Sequence, residues 1–258
     1  MAEQQFEQHT VLKSLLLHLL PGIPILIGLF FFSLPVFSEV LGIDVELKVI
    51  LGLNLACLFT LVPLQLGILL YEGKKLNGRY TLKGVLGNTE KNPLKDYLIF
   101  VPILLIFSIV MFTLIAPVVN PEIVKALFSW YPEEYNLQNA MNLDDLQAFA
   151  AYSGIFLLLA LYILCNGILG PFVEELYFRG YLLPRMDAYA NKWAPALNVV
   201  LFSLYHFFSP WENPIRIIAL LPLGYLVWWK KDMRFSMLVH ILLNTAGGLM
   251  ILMAVLTA

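Results

Sequence analysis

Charge is sparse in this sequence: Asp, Glu, Lys and Arg make up only 13% of its 258 residues, whereas 60% are hydrophobic. A soluble domain is usually about one quarter charged and about half apolar. Several apolar runs are longer than a buried core helix needs, since ~18 uninterrupted apolar residues already suffice to cross a bilayer. The net charge is −2, and no basic stripe points to nucleic acid. The composition excludes a soluble globular protein and predicts a multi-pass membrane protein.

Cysteine is also rare, because only Cys57 and Cys165 are present and both lie within apolar runs. A buried thiol of this kind behaves as a small hydrophobe, so a disulfide framework is excluded. The polar segment Met1–Thr10 lacks the basic region of a cleaved signal peptide, and we therefore expect the first hydrophobic helix to be retained. No internal repeat and no soluble domain is visible.

The apolar runs predict an all-α polytopic protein with about seven or eight membrane helices and a polar cavity inside its C-terminal bundle. The predicted helices are 11–37, 48–71, 97–119, 146–169, 172–186, 194–209, 215–229 and 235–256. Pro21 and Pro24 are expected to kink the first span. Gly167, Gly170 and Pro171 are expected to interrupt the chain at the end of the fourth span, and Pro171 could open a new helix. We divide the chain into N-terminal membrane helices, 1–145, and a C-terminal membrane core, 146–258, that holds this cavity.

The loops alternate in charge. Those at 72–96, 185–192 and 230–234 are basic, whereas those at 38–47 and 120–145 are acidic. The positive-inside rule places the basic loops and the N-terminus in the cytoplasm. It also brings the fourth span back to the cytoplasmic side just before the glutamates of the next helix. The aromatic-rich loop 120–145 is expected to hold an interfacial helix, either as a lid that admits substrate or as a plain connection.

Two adjacent carboxylates and an arginine lie in an otherwise apolar part of the chain, and ionisable groups at membrane depth usually mark a functional site. Glu175 and Arg179 are four residues apart, so they share a helix face and can form an ion pair. Glu174 points about 100° away from Glu175 and can face another partner. Glu174 and His206 are equidistant from Ala190, which predicts that they lie level in an antiparallel helical hairpin.

His240 and Asn244 share one face of the last predicted helix, where both could donate hydrogen bonds inward. Asn244 is equally compatible with a hydrogen bond that only holds two helices together. The expected depth of His240 does not agree with that of Glu174 and His206. His240 lies about 9 Å beyond the basic turn at Arg234, whereas Glu174 and His206 lie deeper when counted from their own turn.

An activated water and donors to a developing oxyanion are what amide hydrolysis needs, and these residues could supply them by one of two routes. In the metal-free route, Glu174 is the general base for a water molecule and His206 orients that water. His240 and Asn244 then donate to the developing oxyanion. We favour this route, which requires no cofactor.

In the other route, Glu174, His206 and His240 hold zinc with an open fourth position. Glu175 would then have to act as the base. The sequence has no HExxH helix, the usual way to place two histidines on one face.

The polar residues fall into three short motifs. They read Glu174-Glu175-Leu-Tyr-Phe-Arg179, Phe202-Ser-Leu-Tyr-His206 and His240-Ile-Leu-Leu-Asn244. In this order they resemble the EExxxR, FxxxH and HxxxN signatures of the CPBP family of intramembrane proteases, which includes type II CAAX prenyl endopeptidases and bacterial Abi proteins. The resemblance covers about residues 150–250.

The resemblance implies proteolysis of a membrane-associated or lipidated peptide, with a bacterial cell membrane as the expected location. It implies that Glu174 is the catalytic glutamate, that His206 is its partner, and that His240 and Asn244 form the oxyanion pair. Glu175 and Arg179 complete the first motif. Two rival functions stay open. One is a non-catalytic scaffold or bacteriocin self-immunity protein, and the other is a transporter with a proton relay, against which the absence of an inverted repeat argues.

Overall fold

The structure, a computed structural model, describes residues 6–136 and 150–257. Its main helices are α1 (Val11–Leu19), α2 (Gly22–Phe32), α3 (Pro35–Leu41), α4 (Val45–Asn77), α5 (Leu94–Leu127), α6 (Ile155–Arg185), α7 (Ala194–Leu204), α8 (Asn213–Lys230) and α9 (Arg234–Thr257). The described residues form no β-strand, and Thr89 and Asp232 make one isolated β-bridge. The predicted all-α class is confirmed.

Five segments of the described chain are long and apolar enough to cross a membrane: Val11–Phe32, α4, α5, α6 and α9. Their mean hydropathy is 2.0 or higher, and large apolar side chains are exposed along them, as expected for surfaces that face lipid. The chain is therefore a multi-pass membrane protein. The predicted total of seven or eight membrane helices stays a prediction.

Proline breaks the first span where the sequence indicates. The chain leaves α1 at Leu20 and enters α2 at Gly22, so the kink at Pro21 is confirmed. Pro24 lies in the first turn of α2, where its missing N–H costs nothing because first-turn N–H groups have no partner within the helix. The span ends at Phe32 rather than at residue 37, because Pro35 begins the separate helix α3.

The predicted interruption at Gly170 and Pro171 is wrong in one respect. Pro171 does lie in the first turn of a regular α-helical stretch, Gly170–Glu174, but this stretch continues the preceding helix without a loop. A π-helical turn at Ile163–Leu169 precedes it, and the Gly170 N–H bonds to the carbonyl five residues back. This wider turn accommodates the proline ring. The fourth span and the motif helix are therefore one helix, α6.

The continuity of α6 also corrects the predicted path of the chain, because α6 reaches the basic loops at Arg185, after the glutamates and not before them. The basic loops do lie together at one end of the bundle, which we call the basic end. Backbone hydrogen bonds join Gly87 to Gly180 at 2.7 Å, and Glu90 to Lys231 at 2.9 Å.

Loops of the opposite end also meet, since the Asp44 N–H bonds to the Ser153 carbonyl at 3.0 Å. The predicted loop 120–145 begins differently from expectation, because α5 continues as helix to Leu127. Residues 128–136 hold a short turn at Glu133–Tyr135 and not the expected interfacial helix. The remainder of that loop and the proposed division at residue 145 fall within 137–149, outside the described residues.

Helices from both sides of that division share one hydrophobic core, which runs from Ile25 in α2 to Val239 in α9. The Tyr177 hydroxyl of α6 donates to the Leu17 carbonyl of α1 at 2.8 Å. The N-terminal helices thus pack directly on the helix that carries the glutamates.

Candidate active site

Both glutamates of the first motif lie inside the helix bundle, with relative exposures of 6% for Glu174 and 1% for Glu175. They stand at the point where α6 passes from regular α-helix into a second π-helical turn, Glu175–Leu182. π-Helical turns occur frequently at functional sites, because the extra residue changes the direction of the side chains that follow.

The structure explains the difference in depth that the sequence left open. The basic turn before α9 packs against α6 at Gly180, well before α6 ends. The side-chain amide of Asn88 donates to the Arg179 carbonyl at 2.9 Å, and the Asn88 carbonyl accepts from the Met233 N–H at 2.8 Å. Counted from this contact, His240 and Glu174 are equally deep.

Glu175 is the centre of a buried polar cluster. Its Oε1 atom accepts a hydrogen bond from His240 Nδ1 at 3.0 Å, and its Oε2 atom accepts one from the Ser236 hydroxyl. Arg179 Nε lies 3.4 Å from Oε2, so the structure contains the ion pair that the spacing indicates. Glu175 therefore orients His240 as well as pairing with Arg179, a role that the sequence did not suggest.

The Arg179 guanidinium stacks on the ring of Phe202, with Cζ 4.1 Å from the ring centroid. Such a contact is worth about 2 kcal/mol or more where water is excluded. The same ring touches His206 and His240, with centroid separations of 5.1 and 5.9 Å. Phe202, the first residue of the second motif, thus packs between ionisable side chains of all three motifs.

Glu174 has a different partner on each oxygen. The Tyr205 hydroxyl donates to Oε1, whereas Oε2 lies 3.7 Å from His240 Nε2. That separation is too long for a direct hydrogen bond, although it is within ion-pair distance. Because His240 Nδ1 donates to the carboxylate of Glu175, Nε2 is the ring nitrogen that faces Glu174.

His206 follows the end of α7 and is half-buried. Its Nδ1 atom lies 2.9 Å from the Phe202 carbonyl, which can only accept, so Nδ1 carries the proton and Nε2 is left as an acceptor in the neutral ring. The hairpin does bring the second motif to Glu174, but Tyr205 makes the direct contact. Sequence reasoning missed Tyr205, and its position immediately before His206 was the available signal.

Asn244 contacts α6 away from the carboxylates: its Nδ2 atom donates to the Asn166 carbonyl at 3.0 Å, and Thr245 donates to the Gly167 carbonyl at 3.2 Å. These two carbonyls lack their usual partners. In a regular helix they would accept from the N–H groups of residues 170 and 171, four positions further on. Here the Gly170 N–H bonds instead to the Cys165 carbonyl, and Pro171 has no N–H. Asn244 therefore satisfies backbone that Pro171 leaves open, as expected for a residue that holds two helices together.

The three proposed zinc ligands do not form a metal site in this conformation. Within residues 6–136 and 150–257, no group of three His, Cys, Asp or Glu side chains is arranged to hold a metal ion. The Nδ1 atoms of both histidines are engaged, by Phe202 in one case and by Glu175 in the other. These contacts leave Nε2 of each histidine as the ring nitrogen that could bind a metal, since histidines in zinc sites usually donate their other N–H to a carboxylate or a carbonyl.

The fold and site define a multi-pass membrane protein with a buried cluster of carboxylates and histidines between its helices. Residues 156–246 match the family model described as Type II CAAX prenyl endopeptidase Rce1-like, which represents a peptidase family. The matched segment extends from the first turn of α6 into α9, includes all three motifs and confirms the resemblance to CAAX proteases. No curated protein and no solved structure matches the chain.

Proposed function

We propose that the protein is an intramembrane endopeptidase that hydrolyses peptide bonds of membrane-associated or lipidated peptides with a glutamate-activated water. The observation that carries this proposal is the buried Glu174 carboxylate, whose Oε2 atom stands 3.7 Å from His240 Nε2 within the peptidase-like segment. A water molecule beside these two atoms would have both an acceptor for its proton and a second polar contact.

In this mechanism, Glu174 takes a proton from the water as the water attacks the peptide carbonyl. His206, whose Nε2 is an acceptor in the neutral ring, orients the same water. The proton then passes from Glu174 to the leaving amine, so that the carboxylate is regenerated. Tyr205 supports this pairing, because its hydroxyl donates to Glu174 and its ring lies 4.1 Å from the ring of His206.

His240 in its doubly protonated form is the proposed donor to the oxyanion. Glu174, Glu175, Arg179 and His240 then carry no net charge together, which suits an interior where unpaired charges are costly. Such a donor, placed before the reaction, can be worth ~10²–10³ in rate. Asn244 uses one N–H for the Asn166 carbonyl, so a contribution to the oxyanion would come from its other N–H.

The proposal assigns no metal to the reaction and places the basic end of the bundle and the N-terminus in the cytoplasm of a bacterial cell. The support for orientation is the meeting of the basic loops at one end. The similarity to type II CAAX prenyl endopeptidases supports a peptide or a lipidated protein as the substrate class.

The test uses the full-length protein, purified and placed in lipid vesicles, with fluorescence-quenched peptides that are either farnesylated near the C-terminus or unlipidated. Glu174→Gln should abolish cleavage and leave the unfolding transition intact. Asp96→Asn is the matched control, because Asp96 is also a shielded carboxylate, paired with Lys230 at 2.6 Å at the basic end. Cleavage by the Glu174→Gln protein at the wild-type rate would refute the mechanism.

A non-catalytic scaffold is the second candidate, and the Asn244–Asn166 contact favours it because a motif residue there serves helix packing. A scaffold should keep its full biological function in both Glu174→Gln and His206→Ala. The peptidase should lose it in both while the protein still folds and inserts.

A further inference from the structure

Tyr205 is held firmly beside the glutamates. It caps the C-terminal end of α7, and its side chain has a relative exposure of only 1%. Its ring stacks on Phe178 of α6 with centroids 5.0 Å apart and lies 4.1 Å from the ring of His206. On the other side, α2 comes so close that a Cβ atom on Gly22 would lie 2.2 Å from the Tyr205 carbonyl oxygen.

The hydroxyl of this fixed ring donates to Glu174 Oε1. A carboxylate has two equivalent oxygens and can rotate, so a base at the end of a glutamate side chain needs an external contact to fix its plane. The phenol supplies that contact on one oxygen. The other oxygen, Oε2, is then the one that faces His240 Nε2.

We propose that Tyr205 is a positioning residue that engages Oε1 of Glu174 and thereby reserves Oε2 as the basic oxygen for the hydrolytic water. This inference rests on the proposed function, since it assigns the orientation of the same base. It also distinguishes the two glutamates: Glu174 has an oxygen directed at the reacting water, whereas both oxygens of Glu175 are engaged by His240, Ser236 and Arg179.

The test compares Tyr205→Phe with Tyr177→Phe, each of which removes a single hydroxyl from a buried ring. Tyr177 is the matched control because its hydroxyl donates to the Leu17 carbonyl at 2.8 Å rather than to Glu174. Tyr205→Phe should lower kcat by about 10- to 100-fold, the usual loss when a reacting group is misplaced or loses its orienting partner. KM should stay unchanged, and Tyr177→Phe should keep the wild-type kcat.

The pH–rate profile separates positioning from mere stability. Tyr205→Phe removes a donor to the ionised carboxylate, so the acidic limb of kcat should move to higher pH. The charged groups around Glu174, namely Glu175 and Arg179 on α6, Arg216 on α8 and His240 on α9, are the same in the two variants. The limb should therefore not move in Tyr177→Phe.

If Tyr205→Phe does not fold, incorporation of a fluorinated tyrosine at position 205 retains the ring shape and makes the phenol a stronger donor. The acidic limb should then move to lower pH. Wild-type kcat and an unmoved acidic limb in either altered protein would overturn the inference. Cleavage by Glu174→Gln would instead overturn the proposed function, so the two failures are distinguishable.

Discussion

The Glu175–Arg179 ion pair allows the sharpest test of the buried site, because stability and activity should respond differently to it. Both side chains are almost fully buried, at 2% and 1% exposure, and Arg179 Nε lies 3.4 Å from Glu175 Oε2. Removing one member of a buried pair costs about 3–5 kcal/mol, since the remaining charge has lost its partner. Arg179→Met should therefore lower the free energy of unfolding by about 3–5 kcal/mol.

The double variant Glu175→Leu/Arg179→Met should be more stable than Arg179→Met, because replacing a buried pair by apolar residues is often close to neutral. Its remaining cost comes from His240 Nδ1, which loses its acceptor at about 1–3 kcal/mol. Ser236 keeps a partner, since its hydroxyl also donates to the Met233 carbonyl at 2.9 Å. We expect the second substitution to recover about 2 kcal/mol.

Peptidase activity should not recover with stability, because the double variant no longer orients His240. Unfolding can be measured in mixed micelles by titration with a denaturing detergent. Lys48→Met is the control, because Lys48 and Glu134 form an exposed pair at 3.7 Å that is worth about 0–1 kcal/mol. Equal losses in Arg179→Met and Lys48→Met, or a double variant less stable than Arg179→Met, would refute the reasoning.

Three further outcomes are expected. Burial, with the charges of Lys13 and Arg185, lowers the pKa of His9 to about 3, so between this pH and about 6.5 the unfolded chain binds a proton that the folded chain does not. The free energy of unfolding should therefore fall as the pH is lowered from about 6.5 towards 3. His9→Phe should remove this pH dependence. A metal chelator should leave peptide cleavage unchanged; loss of activity that added zinc restores would contradict the metal-free proposal. Asn198 donates to both the His18 ring and the Phe178 carbonyl at 3.0 Å, so His18→Leu should destabilise the fold, in thermal unfolding, more than His18→Gln, which retains an acceptor.

The sequence predicted the parts of the site that depend on local spacing. Glu175 and Arg179 form their pair because residues four apart on a helix are neighbours. The equal distance of Glu174 and His206 from the turn at Ala190 brought the second motif to the right level. The spacing could not show that Tyr205 makes the contact with Glu174, because α7 ends at this level and the chain turns before His206.

Contacts between helices that are distant in the chain could not be predicted from the sequence. The link between Glu175 and His240 depends on how α9 packs against α6, which no spacing within either helix records. The mismatch between the depths of His240 and Glu174 stayed open for the same reason, since the basic turn meets α6 at Gly180 instead of at its end. N-terminal helices also pack against α6, although the matched segment begins only at residue 156.

The most informative error concerns Pro171, which we expected to separate two helices. In the structure it lies inside one helix, and the π-helical turn before it leaves the carbonyls of Asn166 and Gly167 without helical partners. Asn244 and Thr245 donate to these carbonyls. The proline thus creates acceptors that fix α9 on α6, and the same helix presents His240 to the two carboxylates one turn earlier. An irregularity that looks like an interruption in the sequence is what sets the register between the first and third motifs.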